Sequence, residues 1–227
     1  MRFGALVLQH GPLAPAGLLG AWLEERGIPV VLHRVDQTGA PEDVRDYAMV
    51  ACLGSRFSPN DATEPSVVAT RACVEQAVEH DVPVLGLCFG GQMLSAVLGG
   101  RVARLGRPEL GWHELETYAP RLIAAGPWLQ WHWDGFTAPP GAEVLARSAA
   151  GTQAFRAGRH LGVQFHPEST IEIVSEWARH DSGRLAAEGV ADGVALLERR
   201  RTEAGTAAAH ARRLFDGFWA SAERGTT

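Results

Sequence analysis

Two short stretches of this chain carry side chains able to act on one another. In VPVLGLCFGGQMLSAVLGG (residues 82–100) Cys88 stands between an apolar run and a helical pattern, and LGVQFHPEST (residues 161–170) closes an apolar run with His166, Pro167 and Glu168. The spacing Gly86, Cys88, Gly90 is the cysteine form of a nucleophile elbow, in which small flanking residues let a strand turn sharply into a helix and push the reactive side chain outward. At a helix N-terminus the dipole favours a thiolate, and the amide of Phe89 is placed to donate to a developing oxyanion. A thiol with a free pKa of about 8.5 needs a positioned base to be a competent nucleophile at neutral pH, and His166 supplies one. Pro167 holds the residue before it extended, so His166 and Glu168 project to the same side and the carboxylate can fix the imidazole tautomer. The chemistry implied is nucleophilic attack by Cys88 with His166 as base and Glu168 as its orienter.

Those residues need a frame. Residues 3–8, 29–33, 48–53 and 82–87 are continuous apolar runs, and the stretches 16–26 and 64–80 between them have helical character. Uninterrupted apolar runs are the mark of strands buried on both faces, and their alternation with helices predicts a mainly parallel, flavodoxin-like doubly wound α/β sheet with helices on both faces. Between residues 101 and 165 the pattern turns to short alternating stretches (111–117, 130–136, 152–155) punctuated by Pro139, Pro140 and Gly141, which predicts a smaller antiparallel section. The last strand, 161–165, delivers His166. Helices follow at 171–180 and 186–220, with a break near Asp192. The expected organisation is one domain over residues 1–227 with a C-terminal helical extension from about 171.

Composition narrows the classes. The chain has 227 residues, 46% hydrophobic and 21% charged, with a net charge of −5, which fits a globular protein with a sizeable core. No basic stripe is present apart from residues 199–201, three consecutive arginines, so no nucleic-acid partner is expected. Lysine is absent, which excludes Schiff-base chemistry and the lysine of a phosphate-binding loop. The three cysteines form no CxxC pair, arguing against a disulfide framework or a metal knuckle; Cys52 and Cys73 read as core, and a reducing cytoplasm is the expected location. The apolar stretch at residues 3–8 is too short for a signal-peptide core, and no run is long enough to span a membrane. Neither a metal nor a cofactor is called for.

GLCFGGQ and QFHPES resemble the two signature blocks of class I glutamine amidotransferase domains. The likeness covers roughly residues 4–169 and extends to ELGW (109–112), WHWDGFTAPPGAEVLARS (131–148) and TQAFRAG (152–158), which look most like the stand-alone, GMP-synthase-like type. The resemblance implies that Cys88 attacks the side-chain amide of L-glutamine, that His166 protonates the leaving ammonia, and that water hydrolyses the glutamyl thioester. It further implies that Gln92 contacts the glutamine side chain and that His132, Trp133 and Asp134 hold its amino and carboxylate groups. Where the family usually has two glycines and a proline, this chain has Gly54, Ser55, Arg56 and Phe57. A backbone amide serves whatever the side chain, so the Gly54–Ser55 segment would complete the oxyanion hole with Phe89, with low basal turnover until a partner reshapes it. An ammonia-accepting synthetase subunit is the implied partner. A γ-glutamyl peptidase using the same triad, and a non-catalytic module of the same fold, are the alternatives.

Overall fold

The computed structural model describes residues 3–41, 43–198 and 201–223. Among these the strands join into one 10-stranded mixed sheet. Its parallel part is built from β1 (Phe3–Gln9), β2 (Val30–Arg34), β3 (Tyr47–Cys52), β4 (Val84–Leu87) and β10 (His160–Val163), in the spatial order β2-β1-β3-β4-β10. That is the expected doubly wound arrangement: helices connect β1 through β4, and β10 returns beside β4 after one further helix and the antiparallel strands. The antiparallel part continues the same sheet through β9 (Gly151–Ala157), β7 (Trp128–Phe136) and β5 (Val102–His113), with β8 (Glu143–Ser148) on β9 and β6 (Glu116–Thr117) on β8.

Helices cover both faces. On one, α1 (Gly17–Glu25) buries Leu19, Trp22 and Leu23 alongside Leu214, Phe215 and Phe218 of α8 (Glu203–Glu223). On the other, α3 (Pro65–Glu79) contributes Val67, Cys73, Val74 and Ala77, and α4 (Phe89–Val97) contributes Met93 and Leu94. Proline at the start of α3 fits the first turn, where an amide would have no intrahelical acceptor. A third apolar cluster joins Leu129, Trp131 and Trp133 of β7 to α5 (Ile171–His180), α6 (Ser182–Ala187) and α7 (Gly193–Glu198).

Several expectations need correction. Residues 29–33 were read as a strand buried on both faces, but β2 is an edge strand hydrogen-bonded only to β1, with Val30 43% and Leu32 53% exposed. Residues 111–117 divide between the end of β5 and β6, and β5 starts nine residues earlier than residue 111, with a register shift between Arg104 and Glu109. β8 and the short α2 (Val35–Thr38) were not anticipated. The break expected near Asp192 falls at residues 188–192, with Gly189 at φ 78° and Asp192 accepting from Val194 N and Ala195 N at the head of α7; the helical stretch expected from 186 starts earlier, with α6 at Ser182, and a second interruption precedes α8. Of the arginine run, Arg199 and Arg200 lie outside the described residues, while Arg201 pairs with Glu198 at 2.7 Å. Among the described residues, no helix is long and apolar enough to cross a membrane, and no cluster of three or more His, Cys, Asp or Glu could hold a metal.

Candidate active site

Cys88 sits at the turn between β4 and α4 with φ 50° and ψ −106°, a region that a residue with a Cβ rarely enters and that costs on the order of 1–3 kcal/mol. Two hydrogen bonds hold it there: its amide donates to Val163 O at 2.9 Å, and its carbonyl accepts from Gln92 N at 2.9 Å. The surrounding glycines are needed for contact distance. A Cβ on Gly90 would lie 2.0 Å from Cys52 O, one on Gly86 2.4 Å from Gly90 O, and one on Gly91 2.4 Å from Val163 O. Any side chain at these positions would push α4 off β3 and β10 and relax the turn. The first-turn amides of α4, Phe89 among them, have no acceptor within the helix.

His166 is buried beyond the end of β10, with its own amide donating to Leu129 O at 2.9 Å. Its Nδ1 donates to Glu168 Oε1 at 2.8 Å, which leaves Nε2 as the ring nitrogen that can take up and give back a proton. Nε2 is buried with no hydrogen bond formed. Burial alone would lower this imidazole's pKa, but the adjacent Cys88 sulfur and the Glu168 carboxylate outweigh it and hold the pKa well above the ordinary value. The Trp177 ring of α5 lies 4.7 Å from the imidazole, and on another side a Cβ at Gly54 would come within 3.3 Å of His166 Cε1. The loop after β3 therefore lies against the imidazole, beside the Cys88 turn. The HPES segment is pinned in turn by Leu18 N, which donates to Glu168 O at 2.8 Å, and by Ser169 Oγ, which donates to His166 O at 2.8 Å.

The other expected residues divide. Gln92 is buried, and its NH2 donates to Asp134 O at 3.0 Å and to Gln164 Oε1 at 3.3 Å. Strand alternation splits His132, Trp133 and Asp134, which had been grouped as one substrate clamp. His132 is buried with Nδ1 donating to Asp134 O at 2.9 Å and Nε2 3.1 Å from the Glu109 carboxylate. Trp133 faces the opposite way, donating Nε1–H to Glu188 at 3.0 Å beneath the Arg184 guanidinium, 3.5 Å above its ring. The Asp134 carboxylate lies 4.0 Å from Arg104. A cavity of about 490 Å³ between the loop after β1 and α5 is lined by Leu13, Ile171 and Arg179 among others, but not by Cys88 or His166.

Sequence reading missed two site neighbours. Gln164, fully buried, places Nε2 3.7 Å from Cys88 Sγ; it adjoins His166 in the QFHPES block, the one signal that could have found it. His10 follows β1 directly, and in parallel sheets that strand end is where functional groups gather. Its ring nitrogens lie 3.2 Å from Gly54 O and 2.8 Å from Thr70 Oγ1, and its ring meets that of Phe89 edge-on at 4.9 Å.

The family model described as "Glutamine amidotransferase class-I" matches residues 21–175, which include both the elbow and the HPES segment. The chain belongs to the class I glutamine amidotransferases. A solved glutamine amidotransferase from Methylobacillus flagellatus superposes on this family member with a TM-score of 0.85 at 26% identity, covering 100% of this chain and 96% of that one. A second, from Thermotoga maritima, gives the same TM-score at 24% identity over 96% and 99% of the two chains, a likeness of fold. Among curated relatives, the glutamine-hydrolysing GMP synthase of Thermomicrobium roseum is 48% identical over 99 residues, and that of Mycolicibacterium paratuberculosis is 39% identical over 139 residues. The matched stretches are 40% and 55% of this amidotransferase chain but only 19% and 26% of those proteins.

Proposed function

We propose that this amidotransferase hydrolyses the side-chain amide of L-glutamine through Cys88, His166 and Glu168 and releases ammonia to an acceptor site on a partner synthetase. The observation that carries the reading is the strained Cys88 turn next to an imidazole whose other nitrogen is tied to a buried carboxylate. Sulfur attacks the amide carbon while the amides of Phe89 and Ser55 receive the oxyanion. His166, cationic beside the thiolate, gives its Nε2 proton to the departing nitrogen, and ammonia leaves. Water, deprotonated by the now neutral imidazole, attacks the thioester and frees glutamate, returning the proton to the Cys–His pair. Gln164, itself held by Gln92, braces the sulfur, and Asp134 serves the substrate's α-amino group. Coupling to a synthetase is drawn from the relatives named as glutamine-hydrolysing synthases.

Purified protein incubated with glutamine should release glutamate and ammonia in equal amounts, and Cys88→Ala should abolish both. Failure of the wild-type chain to turn over glutamine, alone or with candidate synthetases, together with a Cys88 that resists a glutamine-analogue alkylator, would overturn the proposal. Cleavage of γ-glutamyl peptides far faster than glutamine would reassign the site to a γ-glutamyl hydrolase.

A further inference from the structure

We infer that His10 is a positioning residue that fixes the Gly54–Ser55 peptide so that its N–H, opposite the Phe89 amide, completes the oxyanion hole; this rests on the glutaminase reading above. A carbonyl only accepts, so the 3.2 Å contact between His10 Nδ1 and Gly54 O requires the proton on Nδ1. Nε2 is then the acceptor, and the Thr70 hydroxyl at 2.8 Å shares its one proton between Nε2 and Ser66 O, 2.7 Å away. Burial lowers the pKa of His10 to about 4, against smaller opposing effects from the Gly54 hydrogen bond and Asp36, so the ring keeps this single-proton form at neutral pH.

Within a trans peptide, the carbonyl of one residue and the amide of the next point in opposite directions. Holding Gly54 C=O against His10 therefore aims Ser55 N–H away from His10, while the Gly54 Cα packs on the His166 ring. Glycine at position 54 leaves that peptide free to rotate unless something holds it, and a rotated peptide would offer a carbonyl to the developing oxyanion and repel it. The same imidazole also touches Phe89, so one residue ties together both donor-bearing elements. Thr70, anchored in α3, fixes the far side of the ring.

The test compares wild type, His10→Phe, His10→Asn and Thr70→Val by two assays: glutamate release from glutamine, and alkylation of Cys88 by iodoacetamide, a displacement at saturated carbon that builds no oxyanion. In His10→Phe, kcat should fall about 10- to 100-fold with KM within about threefold, since a donor is loosened and not deleted. Alkylation of Cys88 should stay within about twofold of wild type. Asn, whose side-chain N–H reaches the Nδ1 position, should recover most of the loss. An unchanged kcat in His10→Phe, a parallel loss of alkylation, or no recovery in His10→Asn would each overturn the inference. If His10→Phe does not fold, Thr70→Val serves, with an expected two- to fivefold loss of kcat at unchanged alkylation by order of magnitude, and an unchanged kcat is then the overturning result. A wild-type chain that turns over no glutamine or γ-glutamyl compound, alone or with candidate synthetases, and whose Cys88 resists a glutamine-analogue alkylator overturns the underlying reading as well, and it does so before any variant is made.

Discussion

His10 and His166 are buried at the same end of the parallel strands, one just past β1 and the other just past β10, and they differ in charge. Burial pushes both imidazoles toward the neutral form. The groups in contact with His10 are a carbonyl, a hydroxyl and an aromatic ring, none with net charge; the Asp36 carboxylate opposes burial only weakly, and the pKa drops to about 4. Around His166 lie the Cys88 sulfur and the Glu168 carboxylate, and they reverse the effect of burial. In the proposed reading the same side chain at the same depth serves as a neutral hydrogen-bonding pin in one place and as an acid–base group in the other. What assigns the role is the charge of the neighbours, which neither residue type nor burial reveals.

The largest expected effect comes from removing the ionisable partner of the sulfur. His166→Asn should lower kcat for glutamate release by about 10⁴-fold, or about 5.5 kcal/mol at 1.36 kcal/mol per tenfold. It should also slow iodoacetamide labelling of Cys88, which His10→Phe should not. A His166→Asn enzyme within tenfold of wild type would break the contrast, because a neutral side chain would then suffice.

The second effect is on stability, and the two histidines act with opposite sign. The pKa of His10 is lower in the folded chain than the unfolded value near 6.5, so between about pH 6.5 and pH 4 the unfolded chain binds more protons. Its contribution is complete above pH 6.5 and is lost on acidification, by about 3 kcal/mol at pH 4. The folded pKa of His166 is raised, so its contribution is complete below about pH 6.5 and is lost as the pH rises through the folded value. Urea unfolding of wild type and His10→Phe across pH 4 to 7 isolates the first effect, since the titration of the carboxylates is common to both. Parallel curves would mean that His10 carries no such penalty.

How much of this was legible beforehand follows from the range of the interactions. The parallel half and the elbow are written in local patterns: apolar runs, helical spacing, and glycines whose missing Cβ atoms can be inferred from three neighbours in sequence. The HPES segment is equally local, because Nδ1 and its carboxylate are two residues apart. The antiparallel half is less so. Glu109, Gln130, His132, Gln153 and Gln164 are all buried, yet polar residues in short alternating stretches read as solvent-facing, and only mutual hydrogen bonding allows them inside. His132 and Trp133 read as one group in the WHWD stretch, yet adjacent residues on a strand face opposite sides. His10 left no usable pattern, since its partners Gly54 and Thr70 lie 44 and 60 residues away.

A smaller effect separates orientation from charge at His166. Glu168→Gln keeps an acceptor for Nδ1–H but removes the negative charge, so kcat should fall about 10- to 50-fold, well short of the loss from His166→Asn. The pKa of His166, followed by NMR titration of its ring protons, should move downward in this variant. If kcat falls while the titration stays put, the carboxylate orients the ring without supporting its charge, and the contrast with His10 narrows to the sulfur alone.

The smallest effect asks which of its contacts gives His10 its role. Phe89→Leu removes the ring edge that meets His10 but keeps the backbone amide at the head of α4 and the hydrogen bond to Gly54. Loss of part of a fully buried ring from the α3–α4 side of the core should cost about 1–2 kcal/mol of stability, read as a lower urea midpoint. If His10 works by holding a peptide, kcat should change by less than about threefold, because the oxyanion donor at position 89 belongs to the main chain. A kcat loss as large as that of His10→Phe would instead place the role of His10 in packing the elbow, and His10 and His166 would then differ as a core residue differs from a catalytic one.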